Sequence, residues 1–283
     1  MSPSRPYAAW LHLVPAVSVL WLALPLRPAL SAPSATGSSA PRSKVDPVWE
    51  AAKNEVRRGV LNLLTQRRAQ LERGLGYYRV IHGDRARREI ALTFDDGPHA
   101  EYTPKLLSLL GRAKVKATFF LVGELAEARP DLVKEVVAAG HCVGNHTYHH
   151  VKLTAVPIGT AAAEIKACGN VLRDITGRAP SWFRPPGGRT DTDVLVAARA
   201  LGYRMVLWDV FPADSRSPGR STIRTRVLDE ASPGSIVLMH DGIQQTLDVL
   251  PGIMAALKAR GYRFVTLDEM LLHRLAATQA ARP

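Results

Sequence analysis

Cysteine is scarce in this sequence: the 283 residues contain only Cys142 and Cys168. They lie far apart and form no CxxC pair, which excludes a cysteine-based zinc site, a dithiol redox motif and a small disulfide-rich scaffold. The two are either free thiols or, in an exported protein, one bridge. The sequence does not decide between these alternatives, because a bridge depends on the separation of the two residues in space.

Aromatic residues are also few, at 6%, and no basic run is interleaved with them. Nucleic-acid binding is therefore not predicted, although 37 Lys and Arg against 25 Asp and Glu give a formal net charge of +12. That charge suits an anionic environment such as a cell wall or a membrane surface. With 46% hydrophobic residues, the chain can fold as one large or two modest domains. The sequence predicts no particular oligomeric state.

The first residues carry the features of an export signal. An apolar run over residues 11–26 follows Arg5, and the small residues Ala29 and Ser31 stand where a peptidase would cleave. We therefore expect residues 1–31 to be a signal peptide; the alternatives are an uncleaved membrane anchor or a mis-assigned start. The protein is expected to be secreted, periplasmic or associated with the cell envelope. Residues 32–44, rich in Ser, Ala and Pro, are predicted to be a flexible linker.

Residues 45–87 are predicted to form an N-terminal helical extension. From Val48 to Leu75, apolar residues recur at helical spacing among many arginines, which indicates one amphipathic helix. We expect this helix to pack on the domain that follows. A helix lying on a membrane surface is the alternative.

Beyond Tyr77, short apolar runs alternate with amphipathic stretches, which is typical of βα units around a parallel sheet. Strands are predicted near residues 89–94, 117–122, 141–144, 204–208, 235–239 and 263–266. Helices are predicted at residues 102–112, 130–139, 158–176, 191–201, 220–230 and 244–260. The predicted fold class is α/β, and a barrel of parallel strands would bring the carboxyl ends of these strands to one face.

Unusual polar residues follow directly after three of these strands. They are Asp95 and Asp96, then His146 and His150, and then His240 and Asp241. A common face of a barrel would bring these residues into one pocket although they are distant in the chain.

His146 and His150 form an HxxxH pair, which on one helical turn would direct two imidazoles to the same metal. The segment lacks the glutamate of HExxH, so a zinc protease of that type is disfavoured. Surface or capping histidines are the alternative.

The segment TFDDGP, residues 93–98, supplies two adjacent carboxylates where a strand meets a Gly-Pro turn. Neighbouring side chains there diverge, so one can ligate a metal while the other accepts a proton. The alternative is an ordinary Asp-Gly turn.

Five motifs in order resemble the polysaccharide deacetylase family, which is carbohydrate esterase family 4 and contains the nodulation-factor deacetylase domain. They are TFDDGP at 93–98, HTYHH at 146–150, FRPPGG at 183–188, WDVFPAD at 208–214 and IVLMHDG at 236–242. The resemblance implies a distorted (β/α) barrel over residues 88–272, followed by a C-terminal tail at 273–283. It also implies a divalent metal, with zinc expected and cobalt or another divalent ion as the alternative.

The resemblance also implies roles for single residues. The metal ligands would be Asp96, His146 and His150. Asp95 would be the general base that takes a proton from a metal-activated water, and His240 the general acid that protonates the leaving group. The backbone N–H of Gly187 would help to hold the oxyanion.

Two further residues would support these groups. Arg184 matches the arginine that orients the base, and Asp214 the aspartate that holds the acid histidine. The fourth motif departs from the family pattern, with Phe211 in place of its first aspartate and Ser215 in place of its aromatic residue, so Asp209 is an alternative to Asp214. Gly187 stands where the third motif usually has an aromatic residue.

The implied activity is removal of N-acetyl groups from a glycan that contains N-acetylglucosamine, either peptidoglycan or a chitin-like chain. The alternatives are an O-acetyl esterase on a xylan-type glycan, a hydrolase of a small linear or cyclic amide, and an inactive barrel that binds a glycan. The complete set of Asp95, Asp96, His146, His150 and His240 favours an enzyme.

Overall fold

The computed structural model describes residues 46–73 and 79–280. The predicted signal peptide and linker, residues 1–44, lie outside these ranges, and the chain divides into residues 1–44 and a compact unit of residues 45–283. Within the described ranges, no helix is both long and apolar enough to cross a bilayer.

The compact unit is built on one parallel sheet of eight strands. The strands are β1 (Arg79–Val80), β2 (Glu89–Gly97), β3 (Thr118–Leu121), β4 (Cys142–Asn145), β5 (Trp182–Phe183), β6 (Arg204–Val206), β7 (Ser235–His240) and β8 (Arg263–Phe264). Their order is β1-β6-β5-β4-β3-β2-β7, and β8 pairs with β2. The sheet curls into a half-barrel surrounded by helices, which confirms the predicted α/β fold class.

Ten α-helices are present in the described residues. They are α1 (Pro47–Glu55), α2 (Leu61–Glu72), α3 (Tyr102–Ala113), α4 (Gly123–Ala128), α5 (Pro130–Ala138), α6 (Ile158–Thr176), α7 (Thr192–Ala200), α8 (Arg220–Glu230), α9 (Gln244–Ala259) and α10 (Leu267–Ala280). The six helices predicted beyond Tyr77 match α3 and α5 to α9. The sequence analysis missed α4 and α10, and α10 runs through the predicted boundary between residues 272 and 273.

The N-terminal segment differs from a single regular helix. Asp46 caps α1 by accepting hydrogen bonds from the backbone N–H groups of Val48 and Trp49. A π-helical turn over Val56–Val60 then connects α1 to α2. Because this turn inserts an extra residue into the helical repeat, it shifts the apolar face, and Ala52, Val56 and Leu64 are the buried positions.

The two N-terminal helices lie on the barrel rather than apart from it. α1 packs against α6, and α2 packs against α7. The strand β1, which also lies before the predicted boundary at residue 88, pairs in parallel with β6. Residues before and after that boundary therefore belong to one compact unit.

The core forms because the central strands are buried on both faces, as is usual for a parallel sheet covered by helices. Leu92 and Phe94 of β2, and Val237 and Met239 of β7, are all completely buried. Cys142 and Cys168 are both buried and free, so the structure contains no disulfide between them. The carboxyl ends of β2, β4 and β7 carry the polar residues that the sequence placed after them.

Candidate active site

The two adjacent aspartates stand where β2 departs from regular pairing. The register between β2 and β3 shifts between Phe94 and Gly97. Within this irregular segment Asp96 has a φ of 69°, in the left-handed region that is uncommon for residues other than glycine. The two side chains diverge: Asp95 is buried, with its side chain 4% exposed, whereas the side chain of Asp96 is 41% exposed.

The loop after β4 carries both histidines of the HxxxH pair, and it is not helical. The prediction that one helical turn aligns the two rings is therefore wrong. Thr147 and His150 instead have φ values of 69° and 55°, and these left-handed conformations turn the backbone so that both rings meet the same carboxylate. Asp96 Oδ1 lies 3.3 Å from His146 Nε2 and 3.1 Å from His150 Nε2.

The tautomer of His146 is fixed by its other nitrogen. His146 Nδ1 lies 2.7 Å from the carbonyl oxygen of Arg184, which can only accept, so Nδ1 carries the proton. Nε2 is consequently the nitrogen that faces Asp96: it donates to the carboxylate when protonated, and in the neutral ring its lone pair is available to a metal. A backbone carbonyl in this position is a common way to orient a metal-binding histidine.

These three side chains fit a divalent cation. One ligand atom each from Asp96, His146 and His150 can be chosen so that all three lie within 4.8 Å of one another. One carboxylate and two imidazoles are a usual donor set for catalytic zinc, which leaves positions open for water and substrate. Within the described residues, no other group of three His, Cys, Asp or Glu side chains meets the same distance criterion.

The electrostatics of the group agree with this fit. Burial disfavours the charged form of Asp96, but hydrogen bonds from His146 and His150 outweigh it and hold the pKa of Asp96 well below its ordinary value. The hydrogen bond to Asp96 raises the pKa of His150, against the effect of burial. The ionised carboxylate thus attracts positive charge to the point where the three groups meet.

Arg184 binds one carboxylate oxygen of Asp95, and the other oxygen faces His146. The arginine is completely buried, and its Nη1 donates to Asp95 Oδ1 at 2.7 Å and to Thr93 Oγ1 at 2.8 Å. Its other nitrogens donate to the backbone carbonyls of Val206 and Leu207. Asp95 Oδ2 remains on the side of the histidines, 3.7 Å from His146 Nε2.

His240 stands beside Asp95 because their strands pair. In the β2–β7 ladder Asp95 is the register partner of His240. Asp214 Oδ1 lies 2.7 Å from His240 Nδ1, and Asp214 Oδ2 accepts from the backbone N–H of His240 at 2.8 Å. Burial alone would lower the pKa of His240, but the hydrogen bond to Asp214 and the nearby aspartates raise it.

The contact with His240 also separates the two aspartates of the fourth motif. Asp214 is completely buried beside His240 and also accepts a hydrogen bond from Thr246 Oγ1 at 2.6 Å. Asp209 instead accepts from Arg85, Ser235 and the backbone of Ile236. Asp214, and not Asp209, is therefore the carboxylate that contacts the histidine.

Two further residues singled out from the sequence, Gly187 and Asp241, make no contact with the three candidate metal ligands among the hydrogen bonds and ion pairs of the described residues. Gly187 lies in an exposed 3₁₀ turn with a φ of 63°, and no atom stands within 4 Å of the place where a Cβ would be. Its part in holding an oxyanion stays a prediction. Asp241 faces the interior, where it accepts from the hydroxyl of Thr103 and from the N–H of Gly242. Its Oδ2 lies against Gly97, 2.7 Å from the place where a Cβ would stand.

Several supporting residues were missed by the sequence analysis. Thr93 joins Arg184 to the sheet, Thr246 holds Asp214, and Glu164 accepts hydrogen bonds from His149. Thr93 lies inside the TFDDGP motif and was open to prediction from it. Glu164 and Thr246 lie within helical sequences of ordinary composition, where nothing local distinguishes them.

Comparisons with known proteins show which family this chain resembles. The polysaccharide deacetylase family matches residues 82–206. A peptidoglycan-N-acetylglucosamine deacetylase from Bacillus cereus is 39% identical over 198 residues, which are 69% of this chain and 72% of that protein. The crystal structure of the Bc1960 peptidoglycan N-acetylglucosamine deacetylase has a TM-score of 0.66 and 38% identity, covering 68% of this chain and 92% of that one.

The chain belongs to the polysaccharide deacetylase family. It is a polysaccharide deacetylase whose family is in general metal-dependent, and Asp96, His146 and His150 form a possible metal site in it. The family match includes these residues together with Asp95 and Arg184, whereas Asp214 and His240 lie beyond it. The pairing of β7 with β2 brings His240 to the same site.

Similar folds do not all retain activity. The structure of wild-type BA3943 from Bacillus anthracis is named a pseudoenzyme of the CE4 family. Compared with the present chain, it has a TM-score of 0.65 and 28% identity, with 68% of each chain covered. The side chains at the site, rather than the fold, therefore have to support any statement about this chain's chemistry.

Proposed function

We propose that this deacetylase removes N-acetyl groups from a cell-wall glycan that contains N-acetylglucosamine, with zinc as its metal. The observation that carries the proposal is the arrangement of one carboxylate and two imidazoles around a common point. Beside it, Asp95 is paired with Arg184, and His240 is paired with Asp214. The named activity of the Bacillus cereus relative supports the substrate class.

The metal would be held by Asp96 Oδ1, His146 Nε2 and His150 Nε2. When bound, it would supply Lewis-acid polarisation of the acetyl carbonyl and increase the acidity of a water molecule. The remaining chemistry belongs to side chains of this protein.

Asp95 acts as the general base in this proposal. Arg184 occupies Asp95 Oδ1, so Oδ2 is the oxygen free to accept a proton from the attacking water. Thr93 and two backbone carbonyls hold the guanidinium, which fixes the direction of the carboxylate. Arg184 is thus a positioning residue.

His240 acts as the general acid. Its Nδ1–H donates to Asp214, which leaves Nε2 to carry the proton that the departing sugar nitrogen needs. Asp214 favours the protonated imidazole and fixes the orientation of the ring. We assign the backbone N–H of Gly187 to the developing oxyanion, as a further part of the proposal.

The place of action follows from the substrate. We propose that the protein works at the cell envelope, because a wall glycan lies there and because residues 11–26 form an apolar run typical of an export signal. The net charge of +12 would favour contact with the anionic wall.

Acetate release from a panel of acetylated glycans tests the proposal. The panel contains N-acetylglucosamine oligomers, intact peptidoglycan and acetylated xylan, each with zinc-loaded protein and with protein treated with a chelator. We expect release from an N-acetylated glycan that is lost with chelator and restored by Zn²⁺.

The other outcomes are equally informative. Release from xylan alone would replace the N-acetyl substrate by a sugar ester. Binding of one metal per chain with no release from any glycan would contradict the proposal and favour an inactive glycan-binding barrel, for which the pseudoenzyme neighbour and the residues Phe211 and Ser215 give a reason to look.

A further inference from the structure

The N-terminal helix α1 contacts the loop that joins the two candidate histidine ligands. The ring of Trp49 stacks on Tyr148, with centroids 6.4 Å apart and planes 11° apart. It also meets the ring of His149 edge-on, with centroids 4.9 Å apart. Tyr148 and His149 lie between His146 and His150, so Trp49 covers the middle of this loop.

Polar contacts strengthen the same junction. The hydroxyl of Tyr148 lies within hydrogen-bond distance of Asp46, the residue that caps α1, and of Glu127 at 2.6 Å. Asp46 therefore serves both its own helix and the loop, with Oδ1 accepting from the first turn of α1 and Oδ2 from Tyr148. Tyr148 itself is only 2% exposed.

Glu164 of α6 fixes the other side of the loop. Its carboxylate accepts from the backbone N–H groups of Tyr148 at 3.0 Å and His149 at 2.8 Å, and it lies 2.8 Å from His149 Nδ1. Glu164 is 2% exposed, so these contacts are shielded from water. The middle of the loop is thus held from α6 by hydrogen bonds and from α1 by ring packing and the Tyr148 hydroxyl.

The loop needs such support because its backbone conformation is costly. Thr147 and His150 both adopt left-handed φ values, which are unfavourable for residues with a side chain and persist only where the surroundings enforce them. At the same time these conformations bring both imidazoles to Asp96. Loss of the covering contacts would let the loop relax to ordinary conformations in which the two rings no longer converge.

We infer that Trp49 and Asp46 are positioning residues that hold the histidine loop in its ligating conformation and thereby raise the affinity of the site for a divalent cation. The inference rests on the metal site of the proposed function. It assigns a role to a segment that precedes the family match at residues 82–206. A loop that is already ordered binds a cation without an ordering cost. The contacts that α1 makes with the loop therefore increase the affinity for the metal.

Zinc affinity of the full chain is the direct test, measured by competition with a chromophoric chelator for wild type and for Trp49→Ala. We expect Trp49→Ala to weaken Zn²⁺ binding by about 10-fold or more, the range usual for partners that orient metal ligands. Hydrogen exchange of the amides of residues 146–150 in the metal-free proteins should become faster in the variant, because the loop opens more often. Trp49→Phe, which keeps a ring over Tyr148, should recover most of the affinity.

Val56→Ala is the matched control. Val56 belongs to the same N-terminal segment, is 2% exposed and packs in the apolar cluster formed with α6 and α7. Trp49 also packs against this cluster, but it contacts the rings of Tyr148 and His149 in addition. This variant should lower the unfolding midpoint, as Trp49→Ala does, while leaving zinc affinity and loop exchange near wild type. Tyr148→Phe removes the hydroxyl contacts with Asp46 and Glu127 but keeps the ring stack, and we expect an affinity between wild type and Trp49→Ala.

The outcomes separate this inference from the proposed function. If wild type binds Zn²⁺ and releases acetate but Trp49→Ala binds Zn²⁺ equally well, the inference is overturned and the proposed function stands. Equal losses in Trp49→Ala and Val56→Ala would also overturn it, because they would reflect general destabilisation. A wild-type chain that binds no Zn²⁺ would overturn both.

Discussion

The two ends of strand β4 carry a histidine each, and they have opposite surroundings. His141 precedes the strand and His146 follows it, and both are buried, at 7% and 1% exposure. The Nδ1 atom of His141 accepts a hydrogen bond from the backbone N–H of Ala117, and burial lowers the pKa of His141 to about 4. The Nδ1 atom of His146 instead donates to a carbonyl, and its Nε2 faces Asp96.

This comparison shows that burial does not make a histidine a ligand. His141 is a neutral ring that accepts the hydrogen bond of one backbone N–H, next to a cavity lined also by Cys142, Arg178 and Asp268. His146 differs because a carbonyl oxygen fixes its tautomer and a carboxylate lies opposite its second nitrogen. The partners, and not the residue type or its depth, distinguish the two ends.

The largest expected effect is the loss of the metal when the carboxyl end of β4 is altered. His146→Ala removes one of three ligands, and we expect metal content per chain to fall to a small fraction of wild type and kcat/KM to drop by roughly a thousand-fold or more. Elemental analysis and acetate release measure the two quantities.

His141→Gln is the control at the other end of the strand. It should retain full metal content, because His141 does not belong to the group of Asp96, His146 and His150 that could hold the metal. A loss of metal in His141→Gln comparable to that in His146→Ala would break the comparison between the two ends.

The next largest effect distinguishes the roles of the two adjacent aspartates, Asp95 and Asp96. Asp95→Asn keeps the shape of the side chain but removes the proton acceptor, so kcat should fall by about 10²- to 10⁴-fold while metal content stays near that of wild type. If this variant lost its metal and Asp96→Asn retained it, the roles of the two aspartates would have to be exchanged.

A smaller effect is expected at His240, the proposed general acid. In that role His240 must be protonated to act, and Asp214 raises its pKa, so we expect activity to be lost as the pH rises through that raised value. Asp214→Asn removes this support. We expect the alkaline limb of the pH profile of kcat/KM to move to lower pH, with a rate about 10- to 100-fold lower at neutral pH.

Asp209→Asn provides the comparison for Asp214→Asn. Asp209 contacts Arg85 and the start of β7 rather than His240, so its replacement should leave the position of the alkaline limb unchanged. A shift of the limb in this variant instead would show that the family pattern, and not the contact with His240, identifies the supporting aspartate.

The smallest expected effect concerns folding stability and comes from His141. The folded-state pKa of His141, about 4, lies below the ordinary value of 6.5, so the unfolded chain binds a proton that the folded chain does not. This contribution is complete above about pH 6.5 and is lost as the pH falls toward 4. Between pH 7 and pH 5.5 it amounts to roughly 1 kcal/mol.

Urea unfolding of wild type and His141→Gln at these two pH values measures the contribution. The decrease in the free energy of unfolding between the two pH values should be smaller in the variant by about 1 kcal/mol. Identical decreases in both proteins would mean that His141 is protonated as easily in the folded state as in the unfolded one.

The sequence predicted those parts of the fold whose local pattern is strong. β2 and β7 were predicted because each is a run of apolar residues long enough to cross a sheet, and α6 because its apolar positions repeat over many turns. β1 and β5 were not predicted because they contain two residues each, too few to carry a period, and α4 contains only six. β8 is equally short, but it was predicted because Phe264 and Val265 stand in a short β-type run, RFVT, at residues 263–266. α10 was missed because its apolar positions follow β8 almost directly.

At the site, the residues were predicted through motifs, whereas their supporting contacts were not. The helical geometry expected for His146 and His150 was wrong because two left-handed residues, which no local pattern marks, direct the rings. Contacts such as Glu164 with His149 or Trp49 with Tyr148 join separate segments of the chain. Only the packing of the helices on the sheet brings them together.

The six register pairs between β2 and β7 run from Ile90 with Ser235 to Asp95 with His240. The separation between Asp95 and His240, the proposed proton acceptor and proton donor, is thereby set by a backbone ladder, while Phe211 and Ser215 lie in connecting segments. Substitutions in those connecting segments therefore leave the spacing of the two proposed proton-transfer groups unchanged.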